Sequence, residues 1–345
     1  MYRRHFLNAT AASAMGLALT TPRAALAQTP ALVKPKRLSP GDTVAMVAPA
    51  SATFKTVDLD VARESLEALG LKVKIGGHLL DRHGYLAGQD KDRADDINRF
   101  FADPEVRAVL PIRGGWGSSR LLPFLDFDSI RRNPKIVLGY SDITALLLSI
   151  HAKTGLVTFH GPNGMGRWDE FSVNWVKQIL FDGQAATLEN PHDKGEFLVQ
   201  TENRIQTITP GTARGRILGG NLTVLTAIMG SPYLPNWDTC ILFLEDVGED
   251  IYRIDRMMTT LKLAGVLSRI RGFVFGTCSE CEPEQGYGSL TLEEVFNDHI
   301  KPLNVPAWQG AMIGHRLPQF TIGEGIQVEI DAGTGRIRML EAAVT

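Results

Sequence analysis

In the stretch Lys135-Ile136-Val137-Leu138-Gly139-Tyr140-Ser141-Asp142-Ile143-Thr144-Ala145, an apolar run of strand length stops at a glycine and restarts with helical spacing. Ser141 falls at the turn between the two. A serine at that point is held out of the sheet, and the backbone N–H groups at the start of the helix can stabilise negative charge on an oxygen. This is the geometry of a nucleophile elbow, although Ile143 stands where a G-x-S-x-G pattern would have its second glycine. Ser141 or Asp142 could equally be the N-cap of the helix, because both residue types are favoured there.

Working outward, strand and helix alternate through the first half. Strands are expected over 42–47, 71–75, 108–112, 135–138 and 156–159, with helices over 57–69, 93–101, 118–130 and 143–152. Such alternation predicts a doubly wound α/β unit with a parallel sheet, placed at 42–166. Residues 167–210 are polar, without sustained period, and read as a connecting segment. The remainder, 211–345, reads as a smaller, β-rich, barrel-like unit. Its strands are expected at 215–218, 240–244, 272–276, 305–311 and 326–330, and its helices at 221–229, 253–264 and 292–300.

The N-terminus reads as a separate element. Arg3-Arg4 precedes Phe6-Leu7, a short uncharged stretch follows, and Ala25-Leu26-Ala27 closes it as a small-residue cleavage pattern. The stretch is too short and too polar for a spanning helix, so residues 1–27 are expected to be a removable signal of the twin-arginine type, cleaved after about Ala27. That reading predicts a periplasmic protein that meets the twin-arginine export machinery and keeps no stable membrane anchor. The Pro-rich 28–41 reads as a linker. The signal's three arginines, unaccompanied by an acid, leave the remainder more acidic than the formal −2 of the whole chain. Nucleic acid is therefore not an expected partner. Three cysteines cannot build a disulfide framework or a four-cysteine zinc site; Cys278 and Cys281 alone are close, and a local disulfide is one open reading.

Three further places could carry chemistry. Arg113-Gly114-Gly115-Trp116-Gly117 follows a strand, and its glycines allow close backbone approach to a ligand. Glu245 and Asp246 end an apolar strand, where a carboxylate can orient a histidine, cap a helix or pair with Arg253 or Arg256. His315 follows Gly314 at the end of another apolar segment, where a surface or capping role is the alternative. No metal or cofactor motif is present, so none is expected.

Taken together, VAMVAPAS, RGGWGSSRLL, GYSDITAL, TFHGP, GGNLTVL, LEDVGEDIYRIDRM and IGH, in this order over 42–331, resemble the LD-carboxypeptidase family of serine peptidases. The resemblance implies a Rossmann-like N-terminal domain, a β-rich C-terminal domain with the active site between them, and a homodimer. It implies Ser141 as nucleophile, His315 as base and Glu245 as its orienting carboxylate. The N–H groups of Gly115 and Asp142 are then candidates for the oxyanion hole. Arg113 or Arg316 would hold a terminal carboxylate, with Trp116 and Asn221 as further substrate contacts. The expected substrate is a murein tetrapeptide losing terminal D-alanine. Two alternatives stand beside it: an aminoacyl-nucleotide antibiotic whose base stacks on Trp168, and a non-catalytic solute-binding protein. At Thr321-Ile322-Gly323-Glu324-Gly325 the chain departs from the family's usual apolar sequence.

Overall fold

A computed structural model describes residues 30–283 and 288–345. The signal reading of residues 1–27 lies outside the described residues. The first half runs β1 (Thr43–Val47), α1 (Thr56–Ala68), β2 (Lys72–Ile75), α2 (Asp90–Ala102), β3 (Val106–Pro111), a 3-10 helix (Ser118–Phe124), α3 (Phe127–Arg132), β4 (Ile136–Gly139), α4 (Thr144–Thr154) and β5 (Thr158–His160). All five strands pair in parallel in the order β5-β4-β3-β1-β2. Val44 to Val47 and Ile136 to Leu138 are buried throughout. That is why their sequence is continuously apolar: helices cover both faces of a parallel sheet, so no face alternates to polar. Each such Val, Leu or Ile contributes about 1.5–3 kcal/mol by leaving water.

The single helix expected over 118–130 is two elements. Pro123 lies inside the 3-10 turn, and Asp126 restarts the chain as a new N-cap by accepting the Ser129 N–H at 2.9 Å.

The second half contains α5 (Glu170–Val176), β6 (Thr187–Leu188), β7 (Gln206–Thr209), β8 (Thr212–Asn221), α6 (Leu222–Ala227), β9 (Ile241–Val247), α7 (Ile251–Leu263), β10 (Gly272–Ser279), α8 (Leu292–His299), β11 (Ala307–Gln309), β12 (Ile322–Glu324), β13 (Gln327–Asp331) and β14 (Arg336–Met339). Eight of these strands form one mixed sheet, β6-β14-β13-β8-β9-β10-β11-β7. Its parallel centre, β8 to β11, carries α7 and α8 on an apolar face where Phe273, Phe275 and Phe296 meet ring to ring. The molecule is thus a mixed α/β protein, with a parallel N-terminal sheet and a β-rich second sheet.

Two segments behave differently from their sequence reading. Residues 30–40 are not a free linker: Val33 exchanges hydrogen bonds with Gly155 and Val157, and Leu38 is buried with its N–H on Leu180. The aliphatic side chains among the prolines anchor this strap. The 321–325 stretch supplies β12, which leaves the β-rich half and pairs antiparallel with β5, Ile322 opposite His160 and Glu324 opposite Thr158. The first sheet is therefore completed by the second half of the chain.

Candidate active site

Ser141 sits where β4 ends, and the turn that presents it is fixed from both sides. Asn163 is buried, accepts the Tyr140 N–H at 3.2 Å and donates to the Tyr140 carbonyl at 3.4 Å. Gly139 makes that approach possible, since a Cβ there would lie 2.7 Å from Asn163 Oδ1 and 2.9 Å from the Ile143 side chain. Ser141 itself has φ +67°. Left-handed backbone costs a non-glycine residue about 1–2 kcal/mol, and the surrounding hydrogen bonds hold it there.

Across the interface between the sheets, Glu245 lies within β9, opposite Asn221 of β8. It is fully buried, and its Oε2 accepts both His315 Nδ1 at 2.7 Å and the His315 backbone N–H at 3.2 Å. Gly314 has φ +91°, and a Cβ there would fall 2.2 Å from Glu245 Oε2, so only glycine lets the histidine come this close. His315 Nε2 then lies 2.9 Å from Ser141 Oγ. A carboxylate can only accept, so Nδ1 donates to Glu245 and Nε2 presents its lone pair to the serine hydroxyl. Tyr140 packs edge-on against the His315 ring at 5.0 Å, and Ser279 Oγ donates to the His315 carbonyl at 3.1 Å.

The electrostatics follow this arrangement. Burial alone would raise the Glu245 carboxyl, but the hydrogen bond and charge of His315 hold it below the ordinary range. Burial alone would lower His315, yet its bond to Glu245 and the nearby carboxylates raise it above 6.5. Asp246, next to Glu245, is pushed up to about 6 by burial and by its neighbour's charge.

The Gly-rich loop meets Ser141 through Gly114 rather than Gly115. A Cβ on Gly114 would stand 3.0 Å from Ser141 Oγ and 3.3 Å from the Asp142 N. The space in front of Gly114 is thus bounded by the hydroxyl and by a backbone donor at the start of the 3-10 turn Ser141–Ile143. A Cβ on Gly115 would meet Ser51 Oγ at 2.3 Å, an oxygen that accepts the Trp116 N–H at 3.0 Å, while the Gly115 N–H, the expected oxyanion donor, follows directly on Gly114 in the chain. Asp142 is buried and pushed up to about 6, chiefly by burial. Its Oδ2 accepts the Ser118 N–H at 2.7 Å, locking the Gly-rich loop to the serine turn. Arg93, a fully buried guanidinium from α2, donates to the carbonyls of Pro49 and Gly117 beneath it.

Gly114 lacks a positive φ, so alanine suits its backbone, but the added methyl would stand 2.9 Å from Ser141 Cβ and 3.0 Å from its Oγ, and the serine turn must give way. Gly114→Ala is expected to lower kcat by about 10²–10³, as much as the loss of one oxyanion donor, because the methyl displaces the serine turn and fills the space before it. Steady-state kinetics beside a thermal melt reads this, and unchanged turnover would remove the space before Gly114 from the reaction.

The other expected residues divide. Arg113 is half-buried and donates to the Ala52 carbonyl at 3.4 Å, and Trp116 is 43% exposed at the rim. Asn221 is engaged within the protein: its Oδ1 caps α6 on Val224 at 3.0 Å and its Nδ2 donates to Asp246 at 3.1 Å. Trp168 is half-buried: its Nε1 donates to Gly164 at 3.0 Å and its ring packs against the core. Arg316 reaches Asn203 in a cleft beside the site. Cys278 and Cys281 are joined as a disulfide. Asn163 and Arg93 had no motif of their own to mark them, and Gly114 was marked only as one glycine of the Arg113–Gly117 stretch. Among the described residues His78, Asp81 and Asp92 come together as the one group that could hold a metal ion, and no helix is long and apolar enough to cross a membrane.

Residues 44–161 match the LD-carboxypeptidase N-terminal domain, and residues 214–330 match the LD-carboxypeptidase C-terminal domain. The chain is 39% identical to the probable murein peptide carboxypeptidase of Bacillus subtilis (strain 168), over 90% of this chain and 95% of that protein. Its fold is similar to the wild-type apo structure of the microcin C7 self-immunity protein, with TM-score 0.82 and 28% identity over 91% of this chain and all of that one. It is also similar to the muramoyltetrapeptide carboxypeptidase from Oxalobacter formigenes, with TM-score 0.71 and 26% identity over 86% of this chain and 97% of that one.

Proposed function

The chain belongs to the LD-carboxypeptidase family of serine peptidases, and from that premise we propose that it releases terminal D-alanine from murein tetrapeptides through an acyl-enzyme on Ser141. The observation that carries this is the hydrogen-bond chain from Ser141 Oγ through His315 to a fully buried Glu245, at 2.9 and 2.7 Å. In the proposed cycle His315 Nε2 takes the Ser141 proton as the oxygen attacks the amide carbonyl. Glu245 holds the ring in the required tautomer and stabilises the imidazolium. The tetrahedral oxyanion settles before Gly114, against the Asp142 N–H. His315 then protonates the leaving amine of D-alanine, and water, deprotonated by the same nitrogen, releases the peptide. Arg113 is our candidate for the terminal carboxylate, since it stands on the loop that carries Gly114.

The murein substrate is supported by the names of the Bacillus and Oxalobacter relatives. The likeness to the immunity protein favours the antibiotic reading, in which the half-buried Trp168 would be the stacking surface. We propose export on the Arg3-Arg4 and Ala25-Leu26-Ala27 pattern, with a periplasmic mature protein, and a homodimer on family resemblance. The test of the activity is mass spectrometry of murein tetrapeptide incubated with the mature enzyme. Loss of one D-alanine is the expected result, and an intact tetrapeptide would overturn the substrate assignment.

A further inference from the structure

His315 stands on backbone that neither a helix nor a strand fixes, since residues 311–320 form none. Its position therefore depends on bonds from other elements. Glu245 takes the His315 N–H and Nδ1, and the His315 carbonyl accepts the Ser279 hydroxyl at 3.1 Å.

Ser279 is the last residue of β10, and the chain around it is built to aim it. Between Phe275 and Cys278 the pairing of β10 with β9 shifts register, so that two residues of β10 stand against Glu245. Such a bulge re-aims the side chains beyond it. Past the bulge Ser279 lies opposite Val247, and its carbonyl accepts the Gly248 N–H at 2.8 Å. The chain then turns through Glu280, whose φ of +61° is a conformation that non-glycine residues seldom adopt. Cys281 comes back to bond Cys278 across a Cα–Cα separation of 5.4 Å, and it is buried in the core that α7 and α8 share with the second sheet. The disulfide thus closes a ring around Ser279 and Glu280. A left-handed residue persists only where its surroundings over-determine it, and this bond is the covalent part of those surroundings. Opening the ring frees the turn to relax and to carry Ser279 off the His315 carbonyl.

We propose that Ser279 is a positioning residue for the catalytic base and that the Cys278–Cys281 disulfide clamps it, so that His315 is set for catalysis in the oxidised protein and loosened in the reduced one. The proposal rests on the serine-peptidase reading for the role of His315. It is tested by hydrolysis of murein tetrapeptide, with fluorophosphonate labelling of Ser141 alongside, before and after dithiothreitol. The dithiol gives up two electrons and two protons, closes its own disulfide and leaves Cys278 and Cys281 as thiols. Reduction is expected to lower kcat and the labelling rate about 10- to 100-fold, as misplacing a catalytic group by about 1 Å can do, with KM unchanged. The Cys278→Ser, Cys281→Ser double variant should match the reduced protein and ignore the reductant. Ser279→Ala should show the same loss without reductant and no further loss with it, whereas Ser279→Thr, which keeps the hydroxyl, should restore both the activity and its sensitivity to reduction. Unchanged kcat and labelling in Ser279→Ala, or losses from Ser279→Ala and from the double variant that multiply when combined, would overturn the proposal. If the unmodified, oxidised protein neither labels nor releases D-alanine, the peptidase reading itself falls; labelling without release strikes only the substrate, and the comparison is then read from the labelling rates.

Discussion

Ser141→Ala is expected to lower kcat by about 10⁴–10⁶, the range found when a nucleophile of this kind is removed, in a protein that still folds. The expectation follows from how little else the side chain does. Its Oγ meets His315 Nε2, while the turn around it is held by Asn163 through backbone atoms of Tyr140 and by Asp142 through Ser118. Those contacts survive the substitution, so the melting temperature should move by no more than a few degrees, as for a small surface change. A fluorophosphonate probe should label the unmodified protein and leave the variant unlabelled. Substantial turnover in Ser141→Ala would mean that another group attacks the carbonyl. Absence of labelling in both would point to a protein that binds without catalysing.

Glu245→Gln keeps the size of the side chain and removes its charge. About 10⁴ in kcat is expected to go, as when the carboxylate of a comparable relay becomes an amide and the histidine is left in the wrong tautomer. The pH profile adds a readout that a simple loss of stability would not move. His315 must be neutral to take the serine proton. Its pKa is raised above 6.5 in the folded protein because Glu245 outweighs burial, so kcat/KM of the unmodified enzyme should fall as pH drops through a midpoint above that value. In Glu245→Gln burial acts without its counterweight, and the midpoint should move below 6.5. A midpoint that stays in place would assign the acid limb to another group, with Asp142 and Asp246, both pushed up to about 6, as the first to examine.

Much of this was legible from residues because strand ends are simple signals. Ser141, Glu245 and His315 each close or follow an apolar run, Ser141 in the first sheet and the other two in the second, and the two sheets bring them together. What escaped had different physics. In Gly114-Gly115 either residue could face the serine, and only the folded backbone shows that it is Gly114 whose α-carbon closes on Ser141. Arg93 looks like the polar face of an amphipathic helix, yet it is buried because carbonyls of two loops receive it. Asn221 sits in a conspicuous motif for a structural reason, as a helix cap tied to Asp246. β12 has three residues and a central glycine, too little for any alternation to show.

The pairing of β12 with β5 also sets an order of events during synthesis. A ribosome delivers Ser141 and its five parallel strands long before Ile322–Glu324, so the nascent chain carries the serine on a sheet whose β5 edge is still bare. His315 emerges just ahead of that closing strand. The base and the cover of the exposed edge reach the chain within a few residues of each other, and a prematurely terminated product therefore lacks both.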